Sequence, residues 1–171
     1  MLFARLALQT IFQKKVINTM AQKKKTIHFL NQLLSNHFVM YVKLHRYHWF
    51  IQGRHFYELH RQFEEMYTEV ASNLDEIAER ILMIGGKPLA TMTKYLKEAT
   101  LDEANADDKE NEVIQQLLQD YQQIVSEIKQ TGIPSASEIN DEPTLDLLVG
   151  IQGHFEKHMW MLSAYQAYDN E

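Results

Sequence analysis

The chain has 171 residues, 45% of them hydrophobic, with three prolines, six glycines, no cysteine and a formal charge of -6. That length and composition suit one helical domain with a sizeable core, and no apolar run is long enough to span a bilayer, so a membrane partner is not expected. Without cysteine there is no disulfide or thiolate metal site, so a bound metal falls to imidazole nitrogen and carboxylate oxygen. An acidic body does not attract DNA by itself.

Residues 1–25 read as a basic N-terminal extension, expected to be disordered. Met1 to Thr19 carries Arg5, Lys14 and Lys15 among apolar residues and no acid. It superficially resembles a mitochondrial transit peptide, but an extension upstream of a natural start at Met20 is the expected reading. Omitting these three basic residues takes the charge from -6 to -9. Lys23, Lys24 and Lys25 then form a short arm that can contact phosphate or stay solvated.

From Thr26 to about Ile51, the apolar residues Ile27, Leu30, Leu34, Phe38, Tyr41 and Leu44 recur every three or four positions, which predicts a first helix ending near Gly53. His48 follows Leu44 by four and sits at the edge of the apolar stripe, within reach of the next helix. His28, His37, His45 and His55 show no such partnership and read as structural or surface residues.

Phe56 to Ile84 contains no Pro or Gly, and Phe56, Leu59, Phe63, Met66, Val70, Leu74, Ile77, Ile81 and Ile84 form an amphipathic face. His60, Glu64, Asp75 and Glu79 fall on a second stripe, centred roughly 135° away. His60 with Glu64, and Asp75 with Glu79, are i, i+4 pairs able to share a metal ion. The pairs are about 22 Å apart along a helix rising about 1.5 Å per residue. They cannot close one site within one chain.

Two copies of the helix crossed about a two-fold axis could close it. The axis that sets residue 60 opposite residue 79 also sets 64 opposite 75, building two identical sites, and Ala71 and Ala78 would allow close approach. Taken singly, each of these residues reads as ordinary solvated helix face.

Further on, Gly85-Gly86 and Pro88 stop the second helix, and Thr91 to Glu98 can form a short helix in the connection. Thr100-Leu101-Asp102-Glu103 matches a capping box, and the acidic stretch Asp102 to Glu112 is expected to face water. Ile114, Leu117, Tyr121, Ile124 and Ile128 predict a third long helix closed by Gly132 and Pro134. Leu145, Leu148, Gln152, Phe155, Met159 and Leu162 predict a fourth, capped by Asn140 or Asp141 with Pro143 in its first turn. The expectation is an all-α four-helix bundle over residues 26–168, with a tail at 169–171.

Two rival metal motifs fail on spacing. No glutamate has a histidine three residues later, as di-iron sites inside a bundle require, and His154-Phe155-Glu156-Lys157-His158 has its glutamate one place too late for a zincin. His154 and His158 can still share a metal at i, i+4, or simply form a polar helix face.

His48-Trp49, Gly53, His55-Phe56, Leu59-His60, Phe63-Glu64-Glu65, Tyr67, Asp75-Glu76, Ala78-Glu79-Arg80 and Ile84-Gly85-Gly86-Lys87-Pro88 together resemble the Dps-type mini-ferritins, the DNA-binding proteins from starved cells. The resemblance runs from about Thr26 to Tyr165, beginning just past Met20. It implies a ferritin-like bundle with a short extra helix between the second and third long helices. It also implies a homo-oligomer, a dimer that forms the site within a hollow twelve-subunit cage.

The implied ferroxidase ligands, two irons per shared site, are His48, His60 and an acid at Glu64 from one chain, with Asp75 and Glu79 from its two-fold mate. Many members carry Asp where this chain has Glu64. Trp49 is placed beside the site, where an indole can take up a stray oxidising equivalent, and Trp160 can do the same. Each also reads as a packed aromatic. Asp146 matches an acid lining the three-fold pore that admits iron. The implied activity is oxidation of Fe(II), preferably by hydrogen peroxide and otherwise by oxygen, with ferric storage, zinc as a possible competitor, DNA as a possible partner, and a cytoplasmic or nucleoid-associated location.

Overall fold

The computed structural model describes residues 2–104 and 109–167, and of residues 2–12 and 14–16 the backbone alone. The described residues form six α-helices: α1 (Leu2–Phe50), α2 (Phe56–Met83), α3 (Met92–Glu98), α4 (Glu110–Glu127), α5 (Ile133–Ser137) and α6 (Glu142–Gln166), with a π-helical segment, Ile128–Gly132, joining α4 to α5. Helices α1 and α2 pack along each other, α4 packs on α6, and α3 packs on α1. The tail at 169–171 lies outside the described residues.

Helix α1 runs unbroken from Leu2, with no interruption at the 25/26 boundary drawn from the sequence. Its middle is buried nearly all round, because it touches α2, α3, α4 and α5: Phe29, Leu30, Leu33, Leu34, Met40, Leu44 and Tyr47 are all core. Helix α2 has the expected one-sided pattern, burying Leu59, Phe63, Met66, Val70, Ile77 and Ile81. Each such side chain contributes about 1.5–3 kcal/mol when taken from water. Asn73 is buried where Leu74 was expected, and Leu74 is only partly covered.

Both ends of α2 are set by glycine. Gly53 has φ +139°, and a Cβ there would stand 2.5 Å from Oε1 of Glu110. Beyond α2, Gly85 has φ +72°, and the Gly86 N–H returns to the Ile81 carbonyl at 2.8 Å, closing the last turn as expected.

Two expected punctuation marks act differently. Thr100 does not cap a helix; α4 begins at Glu110. Instead the Thr100 N–H donates to Asn36 Oδ1 (2.8 Å) and its hydroxyl donates to Glu127 (2.7 Å), which holds the chain after α3 against α1 and α4. Gly132 and Pro134 do not end the third helix either. The π turn carries the chain past them into α5, where Pro134 sits in the first turn and needs no N–H donor. Gly132 is required because any Cβ would overlap the Phe29 ring. Helix α6 is capped by Asp141, which accepts from the Thr144 N–H (3.3 Å) and hydroxyl (2.6 Å), with Pro143 behind it.

The core also contains an ion pair. Lys43 Nζ is 2.6 Å from Asp120, both side chains are almost fully buried, and the same ammonium donates to the Asp102 carbonyl at 3.0 Å. Burial pushes the Asp120 carboxyl up against the pull of Lys43. Removing one partner strands the other charge, so Lys43→Met should cost about 3–5 kcal/mol, whereas Lys43→Met with Asp120→Leu should recover most of it. Urea unfolding of the two variants measures the difference.

Candidate functional site

The candidate site forms where the last turn of α1 meets the first turns of α2. The His48 Nδ1–H donates to the His60 carbonyl at 2.7 Å, and the His60 Nδ1–H donates to the His48 carbonyl at 2.7 Å. The rings stack with centroids 3.7 Å apart. Carbonyl oxygens only accept, so both imidazoles carry their proton on Nδ1. With Nδ1 committed as donor, it is Nε2 that offers a lone pair when the ring acts as a metal ligand. His48 is buried and His60 half-buried.

Glu64, one turn on from His60, is exposed. Partial desolvation, then the Glu64 charge, push the Tyr67 phenol above its ordinary value. The Tyr67 ring stands edge-on to His48 at 5.4 Å and stacks on His45 at 3.9 Å. Sequence reasoning gave Tyr67 no role; the signal for it is its place three residues past Glu64 and seven past His60, on the same helical face.

The structure does not bring Asp75 and Glu79 to these histidines within the chain. Helix α2 continues without a break, both carboxylates are exposed, and Ala71 and Ala78 lie between and beside them. Among the described residues no three His, Asp or Glu side chains surround a common point as they would a bound metal. Trp49 is 65% exposed, with its ring 5.4 Å from His45, and Trp160 is 69% exposed, so neither is a packed core aromatic. Asp146 is exposed on the second turn of α6, and Lys23, Lys24 and Lys25 are exposed along α1.

Three other histidines, His28, His37 and His55, serve the fold. His37 is fully buried, which lowers it to about 4 and keeps it neutral, and it bonds to the Leu33 carbonyl. His28 pairs with Glu98. His55 belongs to a clamp that the sequence did not announce. Glu110 accepts the His55 backbone N–H (2.7 Å) and ring N–H (3.0 Å) and the Tyr165 hydroxyl (3.0 Å). It thereby ties the α1–α2 turn to the start of α4 and the end of α6. Thus part of the acidic stretch expected to face water is turned inward. At the other end of α2, Arg80 pairs with Asp141 and donates to Thr144 (2.8 Å), holding the turn that carries Glu79 against the α6 cap.

Residues 27–169 match the ferritin family, described as a ferritin-like domain. The chain is 44% identical over 142 residues to DNA protection during starvation protein 2 of Bacillus anthracis, covering 83% of this chain and 97% of that one. The fold is similar to a Dps protein from Bacillus brevis, with a TM-score of 0.82, 39% identity, and 85% and 97% of the two chains covered. It is also similar to Dps from Vibrio cholerae O1, described as a member of a broad superfamily of ferritin-like diiron-carboxylate proteins, with a TM-score of 0.80, 35% identity, and 85% and 91% covered. The chain belongs to the Dps-type mini-ferritins. Its α3 is the short extra helix that the resemblance implied for a mini-ferritin, here lying between α2 and α4.

The clamp predicts an acid dependence for this mini-ferritin. Burial raises Glu110, but the His55 N–H groups and the Tyr165 hydroxyl outweigh it and hold the carboxyl below its ordinary 4.5. A depressed folded value means stability that is present above pH 4.5 and lost as pH falls through the folded value. Glu110→Gln should therefore lower stability at neutral pH by roughly 1–3 kcal/mol, with the gap from wild type closing as the medium is acidified. Thermal melts across that range test it.

Proposed function

We propose that this mini-ferritin oxidises Fe(II) at sites shared by two-fold related subunits and stores the ferric product in a dodecameric cage. The observation that carries the reading is the reciprocal His48–His60 bonding, which stacks the two rings with both Nδ1 atoms engaged and so leaves Nε2 of each for a metal. His48, His60 and Glu64 of one chain would bind iron together with Asp75 and Glu79 of its mate. The donor set of imidazole and carboxylate suits Fe(II) and leaves coordination positions for an oxidant. Zinc accepts the same donors and should compete. Glu64 reaches further than an aspartate would.

Two Fe(II) held close together can each give one electron to a single hydrogen peroxide. The O–O bond breaks, two protons are taken up, and two waters and two Fe(III) result. A pair therefore avoids the hydroxyl radical that a lone Fe(II) would release. Oxygen is the alternative oxidant. Trp49, exposed beside His45, would absorb a stray oxidising equivalent, and Asp146 would line the entry pore. Together these roles amount to iron storage, detoxification and protection of DNA in the cytoplasm.

A direct DNA-compacting role rests on one observation, that Lys23, Lys24 and Lys25 are all exposed on α1. If it operates, deletion of residues 1–25 should abolish a salt-sensitive gel shift without changing iron oxidation.

Anaerobic loading with Fe(II), followed by hydrogen peroxide and stopped-flow ferric absorbance, tests the main reading. Wild type should consume about one peroxide for every two Fe(II) with little radical, and His60→Ala or Asp75→Ala should slow oxidation by roughly 10- to 100-fold or more. Unchanged rates in both variants would refute the site.

A further inference from the structure

Away from the proposed ferroxidase ligands, three side chains with metal-binding chemistry meet between α2 and α6. His154 and His158 stand one turn apart on α6, and both rings face Glu69 of α2. His158 Nε2 is 3.3 and 3.4 Å from the two Glu69 oxygens, and His154 Nδ1 is 3.6 Å from Oε1. The His158 side chain is 11% exposed and that of His154 58%, so the group is walled on one side and open to solvent on the other. The hydrogen bond from His158, working against partial burial, holds Glu69 below the usual carboxylate range.

We propose that Glu69, His154 and His158 form a divalent-cation site of the zinc type within a single chain. Donors about 2.1 Å from one tetrahedral ion stand about 3.4 Å apart, and the His–Glu separations of 3.3 and 3.6 Å lie close to that spacing. Two histidines at i, i+4 on one helix face are an established chelating pair, and a carboxylate from the facing helix completes a three-ligand set with room for water. In the structure the carboxylate bridges the rings directly, so the donors do not yet surround a common centre. For His158 to ligate through Nε2 its ring proton moves to Nδ1, which is buried and makes no other hydrogen bond, and Glu69 swings aside by side-chain rotation. Lys157, exposed next to His158, is a nearby positive charge that the cation must tolerate. The donor set favours Zn(II) and Co(II) over Mg(II) or Ca(II).

Equilibrium dialysis with Co(II) at neutral pH, read also by its visible absorption, tests this in a His60→Ala background, where the ferroxidase ligand set is broken. The expected result is one tightly bound Co(II) per chain in His60→Ala, weakened at least tenfold in His60→Ala/His154→Ala and in His60→Ala/Glu69→Gln. His154 is on the helix surface, so its replacement preserves the fold, which circular dichroism verifies. His154→Ala alone should oxidise Fe(II) at the wild-type rate. Equal Co(II) affinity in His60→Ala and His60→Ala/His154→Ala, or no Co(II) bound by His60→Ala, would overturn the proposal. Neither result bears on the ferroxidase reading.

Discussion

The pair of bonds exchanged between His48 and His60 couples the fold to its chemistry. Each imidazole reaches across the α1–α2 junction to the other residue's carbonyl, so one contact fixes helix register, ring orientation and tautomer together. The His60 carbonyl can serve because an sp² oxygen has a second lone pair beyond the one its own helix uses. Shifting either helix by one residue would turn both rings away. The ends of α1 and α2 must therefore be held rigidly, and the surrounding structure is built to do so.

That rigidity comes from polar contacts at the ends of α2 and apolar contacts along its middle. Glu110 grips the turn before α2, and Gly53 is needed there because a side chain would collide with that carboxylate. Arg80 grips the far end through Asp141 and Thr144. Between these points Phe63, Met66, Val70 and Ile77 bury one face and leave the face with Glu64, Asp75 and Glu79 exposed. A helix held at both ends suits the proposed division of the site between subunits, in which neither half could move to compensate for the other.

The long helices were legible because their apolar residues recur at 3.6-residue spacing, and α2 was predicted to within a residue at its C-terminus. Helix α1 was less legible. It is buried on nearly all sides, so its stripe is blurred and the burial of Lys43 is invisible without its partner Asp120, seventy-seven positions away. The Gly132 and Pro134 signals were misread because their usual meaning is a stop, whereas a π turn lets the chain continue. The capping box at Thr100 failed for a similar reason: its polar side chain found tertiary partners in Asn36 and Glu127 before any local one. In the candidate site, the meeting of His48 with His60 was legible from the place of His48 at the stripe edge. The Glu110–His55–Tyr165 clamp was not, because its members are far apart in sequence.

The central claim is that a functional site contains halves of two chains, and complementation tests it most directly. His60→Ala lacks one half and Asp75→Ala the other, so mixed dimers contain one intact site and one doubly broken site. Dissociating the two inactive variants, mixing them and reassembling them should restore Fe(II) oxidation to about a quarter of the wild-type rate, because random pairing makes half the dimers mixed and each of these has one of two sites intact. If the reassembled mixture stays as inactive as the separate variants while forming full assemblies, the halves do not meet and the account is wrong.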